Sequence, residues 1–167
     1  MEPLFSFETD YDKAAFSSMA RALRKTVRKK HSRRSHIFAW AVVGVGTIFL
    51  FVEGMNIMTL AAVVVVLGAI LFEDRINGHF AMKKILPGMT HAKSDFYVDR
   101  YVSSTEMGTT EWHYDKIETL AEDKNYFILI FGRNHAQVYA KNSLTGGTAE
   151  QFRGFIEENT GVKVQEI

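Results

Sequence analysis

Cysteine is absent from this chain of 167 residues. That excludes disulfides, thiolate zinc sites, thiol nucleophiles and dithiol redox motifs. Proline occurs only twice, which excludes collagen-like and proline-rich architectures. The six histidines are His31, His36, His79, His91, His113 and His135, and they follow no metal-ligand spacing. Ser103-Ser104 and Ser143 lack the context of a nucleophile elbow. Gly146-Gly147 lacks the lysine and the glycine pattern of a phosphate cradle. The acidic pairs Asp10/Asp12, Glu122/Asp123 and Glu157/Glu158 read as solvated faces. The expectation is therefore a protein that is no enzyme and needs no metal or cofactor.

Acid is missing from one stretch and charge of either sign from two others. Between Arg21 and His36 stand Arg21, Arg24, Lys25, Arg28, Lys29, Lys30, Arg33 and Arg34, with no carboxylate among them. The net charge of +1 hides this collar, because residues 89–167 carry eight Lys/Arg against twelve Asp/Glu, a net of −4. Ile37–Val52 and Ile57–Phe72 are each sixteen residues long without a charge, separated only by Glu53-Gly54-Met55-Asn56. Sixteen helical residues rise about 24 Å, slightly short of a bilayer core of about 30 Å, and flanking residues or local thinning can close that gap. Neither run shows the polar stripe of a soluble surface helix. Four residues allow only a tight turn, so the pair reads as a transmembrane hairpin. The cationic collar places both termini in the cytoplasm by the positive-inside rule. Gly44, Gly46 and Gly68 predict close approach of paired membrane helices.

Before the hairpin, Leu4–Glu8 alternates like a strand, and Thr9, Asp10 and Asp12 offer helix-start chemistry. Tyr11, Ala15, Met19, Leu23 and Val27 then recur every four residues, with Phe16 and Ala20 beside them. This predicts an amphipathic helix, free to continue into the first span. Its basic end abuts the bilayer, where anionic lipid is attracted. The eight cations are the candidate binding residues for anionic lipid or a partner. Nucleic acid is not expected, because groove-reading motifs and stacking aromatics are absent from the collar.

After the hairpin, Asp74–Leu86 reads as a helix stopped by Pro87-Gly88. Strand character follows at Asp95–Val102, Thr109–Tyr114, Tyr126–Phe131 and Ala136–Ala140, and Ile117–Ala121 reads as a short strand or the helical lead-in to one. Leu144–Gly147 is a turn. Thr148 and Gln151 have capping-box spacing, Phe152, Phe155 and Ile156 make an apolar face, and Gly161 ends the helix. Trp112 and Tyr114 are candidates for either core or surface of this domain.

Several short segments carry a resemblance. They are Phe7-Glu8-Thr9-Asp10-Tyr11, Glu111-Trp112-His113-Tyr114-Asp115-Lys116-Ile117, Tyr126-Phe127-Ile128-Leu129, Ala140-Lys141 and Phe152-Arg153-Gly154-Phe155-Ile156. In order and spacing, over nearly the whole chain, it resembles the YcxB-like family of small bacterial membrane proteins. The resemblance implies a cytoplasmic domain similar to pleckstrin-homology (PH) folds, and it implies no activity.

The expected fold class is an α+β membrane protein. Residues 1–36 form a strand and basic amphipathic helix, 37–72 the hairpin (37–52 and 57–72), and 73–88 a juxtamembrane helix or linker. Residues 89–167 form a PH-like antiparallel sheet or partial barrel closed by a helix, folding as a separate unit. The expected role is a membrane-anchored binding or regulatory module at the inner (plasma) membrane. Its partners would be anionic lipid, an unidentified protein and, through the hairpin, a second copy. The alternative is an accessory, stress or immunity protein whose hairpin engages another membrane protein.

Overall fold

The computed structural model describes residues 2–52, 54 and 56–167. Its strands are β1 (Phe5–Asp10), β2 (His91–Phe96), β3 (Arg100–Thr105), β4 (Gly108–His113), β5 (Thr119–Glu122), β6 (Tyr126–Gly132), β7 (His135–Ala140) and β8 (Val164–Glu166). Its helices are α1 (Lys13–Lys25), α2 (Lys29–Val52), α3 (Ile57–Leu71), α4 (Glu73–Met82) and α5 (Ala149–Thr160). One sheet has the order β1-β2-β3-β4, and the other β7-β6-β5-β8. No barrel closes.

β1 is separated from its sheet neighbour by all of the helical insertion. It pairs antiparallel with β2 from Phe5↔Phe96 to Asp10↔His91. The helical pair is thus an insertion between the first two strands of the sheet. A unit starting at residue 89 lacks a strand that the chain supplies from its beginning. The outer edge of β1 meets the second sheet, with Ser6 and Thr145 exchanging both backbone hydrogen bonds (3.1 and 2.9 Å) and Ala140 donating to Thr9 Oγ1 at 3.1 Å.

Between the sheets lies an aromatic core of Phe7, Phe96, Tyr101, Tyr114, Phe127, Tyr139 and Phe152, with Leu120, Leu129 and Ile156. α5 brings Phe152 and Ile156 into it. Its start and stop follow the sequence expectation: Thr148 and Gln151 make a reciprocal capping box, and Gly161 ends the helix with φ of 68°, a conformation that costs glycine no Cβ clash.

α1 covers the other face of the second sheet. Ala15, Ala22 and Leu23 pack with Ala121, Ile128, Ile130 and Val138, flanked by Tyr11, Met19 and Val27. This explains why Phe127-Ile128-Leu129-Ile130 is apolar without alternation: Phe127 and Leu129 face the aromatic core, Ile128 and Ile130 face α1, and all four are buried. The expected four-residue stripe of α1 exists, but it is spent on the sheet rather than on lipid.

Four further expectations are corrected. α1 does not continue into α2: it ends at Thr26, and Arg28 N–H reaches back to Leu23 O at 2.9 Å. No glycine or proline causes the break; one helix must lie on the sheet while the next leaves it. Asp95–Val102 is not one strand but β2 and β3 around a turn, closed by Tyr97 N–H to Arg100 O at 2.8 Å. The helix after the apolar runs stops at Met82 rather than Leu86. The sheet is not wholly antiparallel, because β8 adds in parallel to β5.

Among the described residues, α2 is the one helix long and apolar enough to cross a membrane; α3 and α4 pass that measure only together, bent by 71°. Two of the four residues expected in the connecting turn, Glu53 and Met55, lie outside the described residues. Asn56 caps α3, its Oδ1 accepting from Met58 N at 2.9 Å. His36 touches Glu73, and a Cβ on Gly46 would meet Val63 Cγ2 at 2.7 Å. A step up α2 therefore answers an equal step down the other helix, and the pair runs antiparallel. Gly44 and Gly68 meet nothing within 4 Å, so of the three glycines only Gly46 serves contact within the pair.

Candidate functional site

The collar lies where α1 ends and α2 begins, and the fold divides its eight cations. Arg24 makes a two-pronged ion pair with Asp74 of α4, Nε to Oδ1 and Nη2 to Oδ2 both at 2.7 Å. That bond raises the Arg24 pKa further above its ordinary value and is the geometry in which guanidinium–carboxylate pairs are strongest. Arg21 lies 3.6 Å from the same Asp74, and Glu73 is shared between Arg24 (3.6 Å) and His36 (2.6 Å). Nearby, a Cβ on Gly78 would lie 2.7 Å from Ser17 N, so α1 and α4 cross backbone to backbone. Arg24, and Arg21 more loosely, thus tie α1 to α4 through Asp74.

Arg28 is also engaged. Its Nε donates to Arg133 O and its Nη2 to Asn134 Oδ1, both at 2.8 Å. This staples the β6–β7 turn to the α1–α2 break. The remaining five, Lys25, Lys29, Lys30, Arg33 and Arg34, are exposed, and none makes an ion pair among the described residues.

Those five line two grooves. One, of about 550 Å³, runs past Lys25, Lys29 and Arg33 to Trp40, with Glu166 and Ile167 on its far wall. The other, of about 810 Å³, is lined by Arg28, Lys29, Lys30, His31, Arg34 and Arg133, among others, and includes no carboxylate. Arg133 is the residue that sequence reasoning missed. It stands between the strand segments Tyr126–Phe131 and Ala136–Ala140, and nothing local says which part of the molecule that interval faces. Asp74 and Glu73 were legible as the end of an apolar run, not as partners of Arg21 and Arg24.

Trp112 and Tyr114 do not join the collar. Tyr114 is core: its hydroxyl lies 2.7 Å from Tyr97 O and 2.9 Å from Arg100 O, and burial pushes its pKa up. Trp112 is half-buried at the edge of the aromatic core. It stacks near Tyr101 and packs on Phe131 and His135, and its buried Nε1 has no partner among the described residues. A second polar centre is structural. Glu122, only 3% exposed, binds Lys141 at 2.9 Å and also Arg153. Among the described residues no group of three or more His, Asp or Glu is arranged to hold a metal ion.

Residues 96–156 match the family model described as YcxB-like protein, and the chain carries a YcxB-like domain there. The match runs from the last residue of β2 into α5, so it covers β3 to β7 but not β1, the rest of β2, β8, the helical pair or the collar. Comparison with curated proteins and with solved structures found no match.

Proposed function

We propose that this protein is a membrane-anchored, non-catalytic binding module. α2 and α3 enter the bilayer as a hairpin from its cytoplasmic face, and the YcxB-like domain is held against that face as a PH-like adaptor. One observation carries the reading: apolar side chains of α2 point away from the protein. Phe38, Phe51 and Val52 are 73%, 86% and 78% exposed, and Val43 alone is buried on α2. A soluble core helix would bury such residues, and an apolar surface this large calls for lipid or a partner. The sheet order supports the PH-like part: a four-strand meander, three further antiparallel strands, and a helix filling the space between the sheets. The five unpaired cations beside α2 would attract anionic headgroups at about 1 kcal/mol each. Gly44 and Gly68 face open space on the helical pair, which favours, as a second reading, a helix of another membrane protein or of a second copy packing there.

The chain has no cysteine, so single cysteines report cleanly. In intact bacterial cells, Ile57→Cys beside the turn should react with an impermeant maleimide. Thr110→Cys on β4 should react only after permeabilisation, and both proteins should resist alkaline extraction from membranes. Labelling of Thr110→Cys in intact cells, or release of the chain by alkali, would overturn the reading.

A further inference from the structure

The two collar grooves differ in kind. The groove beside Trp40 carries Glu166 on its wall, as a separate groove over α4 carries Asp74 and Asp123. The groove at the α1–α2 break is lined by five permanent cations, Arg28, Lys29, Lys30, Arg34 and Arg133, together with His31, and by no acid. The fold brings these together: the β6–β7 hairpin carries Arg133 to the collar, and Arg28 holds its turn there by two hydrogen bonds. Arg28 spends Nε and Nη2 on the turn, which leaves its Nη1 as a donor. The first turn of α2 includes no acid either, so the positive end of the helix dipole adds to the same field. Crowding like charges without a counter-charge is unfavourable, and an anion would relieve it.

We infer that this groove is a binding site for a phosphate-bearing anion, clamped between Lys30 and Arg34 of α2 and Arg133 of the β6–β7 turn. The inference rests on the membrane-anchored reading for its expected source, a lipid headgroup. Arg34 stands three residues before Ile37, a rise of about 4.5 Å, so the groove opens at headgroup depth when α2 is in the bilayer. Guanidinium groups match phosphate oxygens in planar, paired fashion, and lysines add point charge. Arg21 and Arg24, tied to Asp74, take no part.

The test compares two double variants of the full chain with equal charge change. Lys30→Gln/Arg133→Gln strips the groove; Lys25→Gln/Arg33→Gln strips the neighbouring one. All four side chains are exposed and make no ion pair among the described residues, so both variants should melt like the parent. Each protein, in detergent, is titrated with short-chain phosphatidylglycerol or phosphatidylcholine, and bound lipid is counted by native mass spectrometry. The groove variant should lose phosphatidylglycerol affinity by about tenfold or more, the loss of two charge-assisted contacts, while the neighbouring variant loses far less. Inorganic pyrophosphate is then added to the parent. Lipid that stays bound assigns the site to a headgroup; lipid displaced by the ion assigns the same site to soluble phosphate. Equal losses in the two variants, or no preference for phosphatidylglycerol over phosphatidylcholine in the parent, overturn the inference. Resistance to alkaline extraction is scored separately. A chain that integrates but fails the lipid comparison loses only the groove; a chain that does not integrate loses the reading beneath it.

Discussion

Replacing Phe7 by alanine removes a ring that is fully buried and touches four others. Its centroid lies 4.7 Å from that of Phe152, 5.4 Å from Tyr139, 5.7 Å from Phe96 and 6.4 Å from Phe127. An aromatic side chain buries about 200 Å², which at about 25 cal/mol per Å² is about 5 kcal/mol against an extended chain. A more compact unfolded state lowers that to about 3 kcal/mol. The cavity left behind adds about 1 kcal/mol, so the expected cost is about 4 kcal/mol, inside the range for buried Phe→Ala changes. Against a domain stability of about 5–15 kcal/mol this is a large share. Urea unfolding of the full chain in detergent, followed by near-ultraviolet circular dichroism, measures it. Phe38→Ala on α2, where the ring is 73% exposed, is the control and should leave the transition in place. The same reasoning says that residues 89–167 alone lack β1 and should not fold stably. Fusing 2–26, which carries β1 and α1, ahead of them through a flexible linker should restore a cooperative transition. If Phe7→Ala costs less than about 1 kcal/mol, or if 89–167 folds as well without the added strand, the placement of β1 in the sheet is wrong.

Glu122→Gln should lower stability by about 2 kcal/mol, seen as a lower melting temperature. It leaves Lys141 and Arg153 without their counter-charge, and both reach solvent, which keeps the cost below that of a fully buried pair. Gly78→Ala should cost about 1–3 kcal/mol, because its Cβ would press on Ser17 N at 2.7 Å and Phe16 C at 2.9 Å; Gly44→Ala, with open space around it, should cost nothing in the same melt. The Asp10 hydrogen bond raises the His91 pKa above 6.5. The folded state thus holds the proton more tightly, so this contribution is full below pH 6.5 and fades as pH rises through the raised folded value. Fraying of the β1–β2 end, followed by amide exchange of Tyr11, which donates to Thr90 O, should increase over that window. His91→Gln should flatten the dependence, and an unchanged slope in that variant would discard the assignment.

The elements visible in the sequence are those that depend on local chemistry. The apolar runs, the Asp12 cap, the Thr148–Gln151 box and the Gly161 stop depend on neighbours a few residues away, and all appear where local rules put them. The apolar stripe of α1 was legible too, but not the surface it meets, because a stripe says that a face is buried and not against what. Pairings between distant parts of the chain were decided only by the tertiary structure. Asp10 opposite His91 closes a sheet across the whole helical insertion, and alternation over six residues specifies a strand without naming its partner. The same holds for the collar. Composition counted eight cations, and only the fold shows that Asp74 and Glu73 draw in Arg21 and Arg24 and that the β6–β7 turn takes Arg28. It also shows Arg133 joining Arg28, Lys29, Lys30 and Arg34 in one groove. Charge along a chain is additive and can be read by counting. Which charges remain free depends on three-dimensional neighbours, and packing sets those.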